Sequence, residues 1–186
     1  MNIRLAGELY ADSIVDGNGI RAVIWTQGCA HRCPGCHNPG THDFNSGFEF
    51  SVAELKREIS QLEFQDGVTF SGGDPFYQSE ACADIAEHIQ SLGMNVWCYT
   101  GFVYEKLLES AKKDPAIMKF LQNIDILVDG PFMIGKRSYS LKFRGSSNQR
   151  VIDVKKSLET GTTVLAAIDY VEEASNCGRY EELIYI

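Results

Sequence analysis

Residues 67–100 read GVTFSGGDPFYQSEACADIAEHIQSLGMNVWCYT, one complete strand–helix–strand unit. Gly67 to Ser71 (GVTFS) and Asn95 to Thr100 (NVWCYT) are short apolar runs and predict buried strands. Between them, Ser79 to Leu92 carries Cys82, Ile85, Ala86, Ile89 and Leu92 on one helical stripe, closed by Gly93. Strands joined through a helix of this length pair in parallel, with a right-handed crossover.

The same alternation extends outward in both directions. Ala22 to Thr26 (AVIWT) predicts a strand, and Ser51 to Leu62 predicts a helix with Val52, Leu55, Ile59 and Leu62 on one face. Ser51 and Glu54 have capping-box spacing at its start. Val103 to Lys113 predicts a helix with Tyr104, Leu107, Leu108 and Ala111 facing inward; Pro115 ends it, and a short helix follows to Gln122. Ile124 to Val128 (IDILV) predicts a fourth strand. Val151 to Val154 and Thr163 to Ile168 are two weaker strand candidates, and Glu172 to Arg179 reads as a loop. The fold class is therefore α/β with parallel strands: a doubly wound sheet, or a small or incomplete barrel.

The length of 186 residues fits one domain, and 44% hydrophobic with 23% charged residues is the balance of a soluble globular chain. No apolar run reaches membrane-spanning length, and Met1 to Glu8 lacks the basic start and apolar stretch of a signal peptide. These features predict a cytoplasmic protein that binds no membrane. A net charge of −8 argues against a general nucleic-acid binder. From 136 to 156, however, Lys136, Arg137, Lys142, Arg144, Arg150, Lys155 and Lys156 face only Asp153. That stretch is either a solvated basic face or a docking surface for something anionic.

In folds of this class, sites form at the carboxyl ends of the strands. The unusual segments all fall there. Gln27 to Pro39 follows the first strand, and Ser71-Gly72-Gly73-Asp74-Pro75 follows the second. Thr100-Gly101 ends the third, and Asp129-Gly130-Pro131 ends the fourth. The first of these, QGCAHRCPGCHNP, spaces Cys29, Cys33 and Cys36 as C-x3-C-x2-C. Three thiols within eight residues of a reducing-compartment chain point to a metal rather than to disulfides. A cubane 4Fe-4S cluster bound by three thiolates would keep one iron without a protein ligand. A structural zinc held by the same thiols plus His31, His37 or His42 is the alternative. Cys82 and Cys98 read as buried thiols, Cys177 has no assigned role, and His31 and His42 read as solvent-facing loop histidines.

With these residues in view, the chain resembles the radical S-adenosylmethionine enzymes. The cysteine spacing after the first strand is similar to that superfamily's signature, and Gly72-Gly73-Asp74-Pro75 resembles its glycine-glycine-acid motif. Asp16-Gly17-Asn18-Gly19-Ile20-Arg21 resembles a stretch of the glycyl-radical activating enzymes. Cys36-His37-Asn38-Pro39, Leu127-Val128-Asp129-Gly130 and Arg144-Gly145-Ser146-Ser147-Asn148-Gln149 are similar to activases of anaerobic ribonucleoside-triphosphate reductases. The likeness covers roughly residues 10–152 of a single domain spanning 1–186, with 153–186 an extension.

The resemblance implies a single-domain partial (βα) barrel of the radical S-adenosylmethionine type. It implies a 4Fe-4S cluster on Cys29, Cys33 and Cys36, and S-adenosylmethionine as the second cofactor. Reductive cleavage would then yield a 5′-deoxyadenosyl radical, which takes a hydrogen atom from a glycine of the anaerobic reductase. Implied cofactor contacts are Gly35, Cys36 and His37 at the adenine, Gly72 and Gly73 by close backbone approach, and Asp74 at the methionine ammonium. Thr100 and Asp129 would line the same site. Many relatives have an aromatic where this chain has Gly35, and glutamate where it has Asp74. Arg144 and Asn148 would contact the substrate polypeptide. The electron would come from a flavodoxin or ferredoxin-type donor. The rivals are an activase of another glycyl-radical enzyme such as pyruvate formate-lyase, a radical enzyme acting on a small molecule, and a non-catalytic zinc or iron–sulfur module.

Overall fold

The computed structural model describes residues 1–167. The chain opens with β1 (Asn2–Leu5), β2 (Tyr10–Ser13), β3 (Arg21–Thr26), β4 (Phe48–Ser51) and α1 (Val52–Ile59). It continues through β5 (Gly67–Gly72), α2 (Ser79–Ser91), β6 (Asn95–Tyr99), α3 (Tyr104–Ala111) and α4 (Pro115–Gln122). β7 (Ile126–Asp129), β8 (Arg150–Asp153) and α5 (Val154–Thr160) complete the described elements. The strands form one sheet in the order β4-β1-β3-β5-β6-β7-β8, with β2 also on β3.

The centre, β3-β5-β6-β7, is parallel as expected, in registers such as Ile24 opposite Phe70 and Phe70 opposite Cys98. The outer pairings are antiparallel, so the sheet is mixed rather than purely parallel. β1, β2 and β4 escaped the sequence reading for a physical reason. Each is four residues long with exposed positions among them, so none presents the continuous apolar run of a strand buried on both faces.

Side chains alternate across the sheet. Ala22, Ile24, Val68, Phe70, Val96, Cys98 and Leu127 point to one face and share a core with buried residues of α1, α2 and α4. Trp97, Val128, Val151 and Ala166 form a smaller cluster with Tyr99, Ile126 and Phe143 on the other. The inward stripe of the helix at 104–111 holds: Tyr104, Leu107 and Ala111 are buried and Leu108 packs at the edge. Cys82 and Cys98 are fully buried, and burial pushes both thiols well above their ordinary pKa.

Some local expectations change. Ser51 makes no side-chain cap on α1; the helix entry is tied instead by the Val52 N–H to Met1 O at 3.2 Å. The strand expected to end at Val154 stops at Asp153, whose carboxylate caps α5 by accepting from Lys156 N–H at 3.0 Å. Val154, Ser157 and Ala166 are buried, so the chain remains part of the core past residue 152. Only a single bridge, Ile152 to Leu165, represents the strand expected at 163–168, and residue 168 lies outside the described residues. The loop expected at 172–179, with Cys177, lies outside them too. Among the described residues, no helix is long and apolar enough to cross a membrane.

Arg21 begins β3 at the edge farthest from the cysteines, five residues or about 16 Å of strand before Thr26. It is fully buried, donates to Thr69 Oγ1 (2.6 Å), Asn95 Oδ1 (2.7 Å) and Val68 O (2.9 Å), and lies over the Trp97 ring. Burial among these neutral acceptors brings its pKa down to about 10. Gly17 sits against this side chain: a Cβ there would stand 2.7 Å from Arg21 Cδ. The Asp16–Arg21 stretch is therefore a structural tie at the amino ends of the strands, away from the candidate site.

Arg150 also joins elements, reaching Glu105 of α3 through two hydrogen bonds of 2.9 and 2.8 Å; Thr163 adds a third at 2.7 Å. The hydrogen bonds from Arg150 hold the Glu105 carboxyl down at about 2, against an ordinary 4.5. A depressed carboxylate stabilises the fold above its unfolded-state pKa and loses that contribution as pH falls through the folded one. Glu105→Gln should therefore lower the urea midpoint at pH 7 by the modest amount of a part-exposed pair, and the gap to wild type should close between pH 4.5 and 2.

Candidate active site

The cysteine loop leaves β3 at Thr26 and is closed by bonds that involve no thiol. Gln27 is buried, and its amide nitrogen donates to Gly40 O (3.2 Å) and Asp43 O (2.7 Å), pinning the end of the loop to its start. Gly28 N–H donates to Thr41 O at 2.9 Å and Cys29 N–H to His42 O at 3.1 Å. Within the loop, Cys36 N–H donates to Cys33 O at 3.0 Å across Pro34-Gly35. Gly35 has φ +74°, the left-handed value required at the third residue of a type II turn that follows proline. Arg32 is also left-handed, at φ +46°, a cost of about 1–2 kcal/mol of the kind found where loops present functional groups.

Cys29 is buried at 9% exposure, and burial raises its thiol pKa; Cys33 and Cys36 are half-buried. The five described cysteines are free of disulfides. Among the described residues, no three His, Cys, Asp or Glu side chains gather at the spacing that holds a single metal ion.

The second loop is welded to the first. Gly73 N–H donates to Thr26 O at 2.7 Å and Asp74 N–H to Gly28 O at 2.9 Å. A Cβ on Gly72 would stand 2.6 Å from Thr26 O, and one on Gly73 would stand 2.5 Å from Gly28 O. Within the protein, the close approach these glycines permit is loop to loop. The obstruction is backbone and has no rotamer to escape into. Gly73→Ala should lower stability by about 1–3 kcal/mol, read as a fall in the thermal midpoint, and should loosen the cysteine loop with it.

Asp74 is the hub of the rim. It is 1% exposed and its carboxylate accepts from four residues. These are Thr100 Oγ1 (3.0 and 2.9 Å), Gly101 N–H (2.9 Å), Phe76 N–H (3.1 Å) and the His31 ring at 2.9 Å from Nε2. His31 is therefore not the solvent-facing loop histidine its sequence position suggested. Its side chain is 19% exposed and edge-on to Phe102, with ring centroids 4.5 Å apart. A Cβ on Gly101 would meet the ring at 2.5 Å, so glycine is what lets it dock. Tyr77 continues the aromatic cluster, 5.4 Å from Phe102 and 5.2 Å from Phe44. His31 links the cysteine loop to the ends of β5 and β6 across 43 residues of sequence, a separation that local pattern reading does not bridge.

The other candidates fall around this hub. Thr100 is buried, with its hydroxyl on Asp74. Asp129 is 1% exposed; it caps α3 by accepting from Tyr104 N–H at 2.8 Å and pairs with Arg150, whose Nε lies 3.0 Å from Oδ1. Its present partners make it a capping and pairing residue. His37 is exposed beside Cys36, and His42 has a buried Nε2 without a hydrogen-bond partner. Gly35 borders Ile134 and Phe132, whose side chains would stand 2.9 and 3.4 Å from a Cβ there. Asn148 donates to Pro131 O at 2.8 Å, while its Oδ1 is buried and unpartnered. Arg144 is half-buried, and burial lowers its pKa. Gln149, not singled out from sequence, ties this last loop by donating to Gly130 O (3.1 Å) and accepting from Gly145 N–H (2.9 Å).

Comparison with known proteins agrees with this geometry. The family model for the 4Fe-4S single cluster domain matches residues 15–152. A relative from Escherichia coli (strain K12), the anaerobic ribonucleoside-triphosphate reductase-activating protein, is 35% identical over 153 residues, 77% of this chain and 95% of its own. Proteins with the same description from Haemophilus influenzae and Enterobacteria phage T4 are 30% and 28% identical, each over at least 90% of its own length and 76% and 77% of this chain.

Proposed function

Since the chain belongs to the 4Fe-4S single-cluster family and, with its relatives, to the anaerobic ribonucleoside-triphosphate reductase-activating proteins, we propose that it is a radical S-adenosylmethionine activase installing a glycyl radical on that reductase. The observation that carries the reading is the weld between two loops at one rim. The C-x3-C-x2-C segment and the Gly72-Gly73-Asp74 turn share backbone bonds and the His31–Asp74 contact. Four adjacent parallel strands beneath them are what a partial (βα) barrel requires, and the reading takes 1–186 as one domain.

The donor set suits a cluster with three protein ligands. Cys29, Cys33 and Cys36 are free thiols on one preformed loop. His31, a candidate fourth ligand for zinc, is turned onto Asp74. A cubane spreads its thiolates around a cube, so it does not require the single-ion spacing that these residues lack. When bound, the cluster supplies the one electron that splits the sulfonium bond of S-adenosylmethionine to methionine and a 5′-deoxyadenosyl radical. The chemistry so supplied would be one hydrogen-atom abstraction from a glycine Cα of the reductase, with 5′-deoxyadenosine and the glycyl radical as its products.

The chain's own residues bind and orient. Asp74 accepts the methionine ammonium in place of the His31 ring, whose side chain is 19% exposed, while Thr100 and Gly101 hold the carboxylate still. Gly72 and Gly73 fix that loop. Gly35, Cys36 and His37 border the adenine, and Asp129 holds the start of α3 beside it. Arg144 and Asn148 lie on the loop that meets the polypeptide. A flavodoxin or ferredoxin-type donor delivers the electron, and a reducing cytoplasm suits three free thiols, one buried and two half-buried.

The test is anaerobic reconstitution with iron and sulfide, then dithionite and S-adenosylmethionine. Release of 5′-deoxyadenosine and, on adding the reductase, a glycyl-radical signal in electron paramagnetic resonance are expected. A colourless zinc protein, no cleavage, or a radical formed only on pyruvate formate-lyase overturns the reading.

A further inference from the structure

Residues 130–149 form a lobe between β7 and β8 that departs from the rest of the chain in charge. It holds Lys136, Arg137, Lys142 and Arg144 and no Asp or Glu, so all 25 acidic residues of this −8 chain lie outside it. The lobe is also held rigid. Its two arms pair through Ser147 N–H to Lys136 O (2.9 Å), Ser138 N–H to Gly145 O (3.3 Å) and a bridge between Arg137 and Ser146. Ser146 is fully buried and accepts from Met133 N–H at 3.1 Å. Phe143 takes a left-handed backbone, φ +56°, and sets its ring against Trp97 with centroids 5.3 Å apart. A bulky residue held at positive φ is strained, and the strain is offset here by anchoring the lobe to the sheet.

Fixed in this way, the lobe displays apolar groups among its cations. Met133 is 44%, Ile134 58% and Tyr139 86% exposed, and Arg137 stacks on the Tyr139 ring at 4.6 Å. Such groups in solvent, beside charges of one sign, mark an interaction surface. Ile134 also touches the cysteine loop at Gly35, so anything seated on the lobe is brought to the rim.

We propose that this lobe is the docking platform for the reductase, engaging an acidic segment of that polypeptide flanked by apolar side chains. The proposal rests on the functional reading above and adds the surface and the chemistry of the partner. Charge complementarity argues for it: a cationic lobe whose own sequence carries no acid sits beside the rim of a strongly acidic chain. A short acidic protein segment can meet that patch alone, whereas a long polyanion such as duplex DNA would also meet the repulsion of the remainder. Preformed loops keep the ordering cost of association low.

The experiment uses the reconstituted full-length protein and intact reductase. Wild type should associate more slowly as salt is raised. The Lys136→Glu/Arg137→Glu/Lys142→Glu variant should associate at least about tenfold more slowly at low salt, lose the salt dependence, and yield glycyl radical correspondingly slowly. Its dithionite-driven release of 5′-deoxyadenosine without reductase should match wild type. The Lys136→Gln/Lys142→Gln pair, which removes charge without reversing it, should rank between them and guards against a misfolded triple variant. Equal association rates for wild type and both variants overturn the docking surface. So does an effect confined to duplex DNA with reductase association intact. Wild type that releases no 5′-deoxyadenosine brings down the functional reading itself, which salt-insensitive yet productive association does not.

Discussion

Cys33→Ala should reduce S-adenosylmethionine cleavage to the reagent blank, strip the brown absorbance, and leave the protein folded. Cys33 is the informative choice because its thiol is half-buried and its structural contribution is its carbonyl, which accepts from Cys36 N–H at 3.0 Å and survives in alanine. Pro34 and Gly35 still dictate the turn. Cys29 is a poorer probe, since at 9% exposure its removal also disturbs packing. Iron analysis should fall below four per chain. A Cys33→Ala protein that keeps its iron and its 5′-deoxyadenosine release would show that the thiol is not a ligand.

The second large effect is at Asp74. Alanine there strands the His31 ring, the Thr100 hydroxyl and the Gly101 and Phe76 amides in a site only 1% exposed. Each buried donor left without an acceptor costs about 1–3 kcal/mol, so this variant should unfold far more readily. Asp74→Asn is the cleaner test of function, because it keeps the volume and one acceptor oxygen. It would lose the proposed charge-assisted bond to the methionine ammonium, a contact of about 1.5–3 kcal/mol. Affinity for S-adenosylmethionine should drop by roughly tenfold to a hundredfold. Titration at unchanged affinity would mean that Asp74 only braces the loops.

What could be read from sequence follows contact range. α2 was legible because its stripe recurs within thirteen residues, and the cysteine loop because its three thiols lie within eight residues. The rim was legible because the parallel order of β3, β5, β6 and β7 places every carboxyl end together. The His31–Asp74 contact was not, because a histidine between two cysteines has no local signal naming a partner 43 residues on. The glycine pair was legible as a place of close backbone approach, but only the fold shows Gly28 O where a Cβ on Gly73 would go. Asp16–Arg21 was noticed for its pattern, yet its chemistry is a buried guanidinium at the opposite edge.

The cysteine loop is braced by Gln27, Thr41 and His42, through atoms that bind no iron. Zinc-finger peptides, by contrast, collapse when chelated because metal is their only staple. Here a burst of air should bleach the protein without melting it, leaving an intact scaffold. A cell returning to anoxia could then re-arm the molecules it already holds with iron and sulfide, instead of waiting for new synthesis.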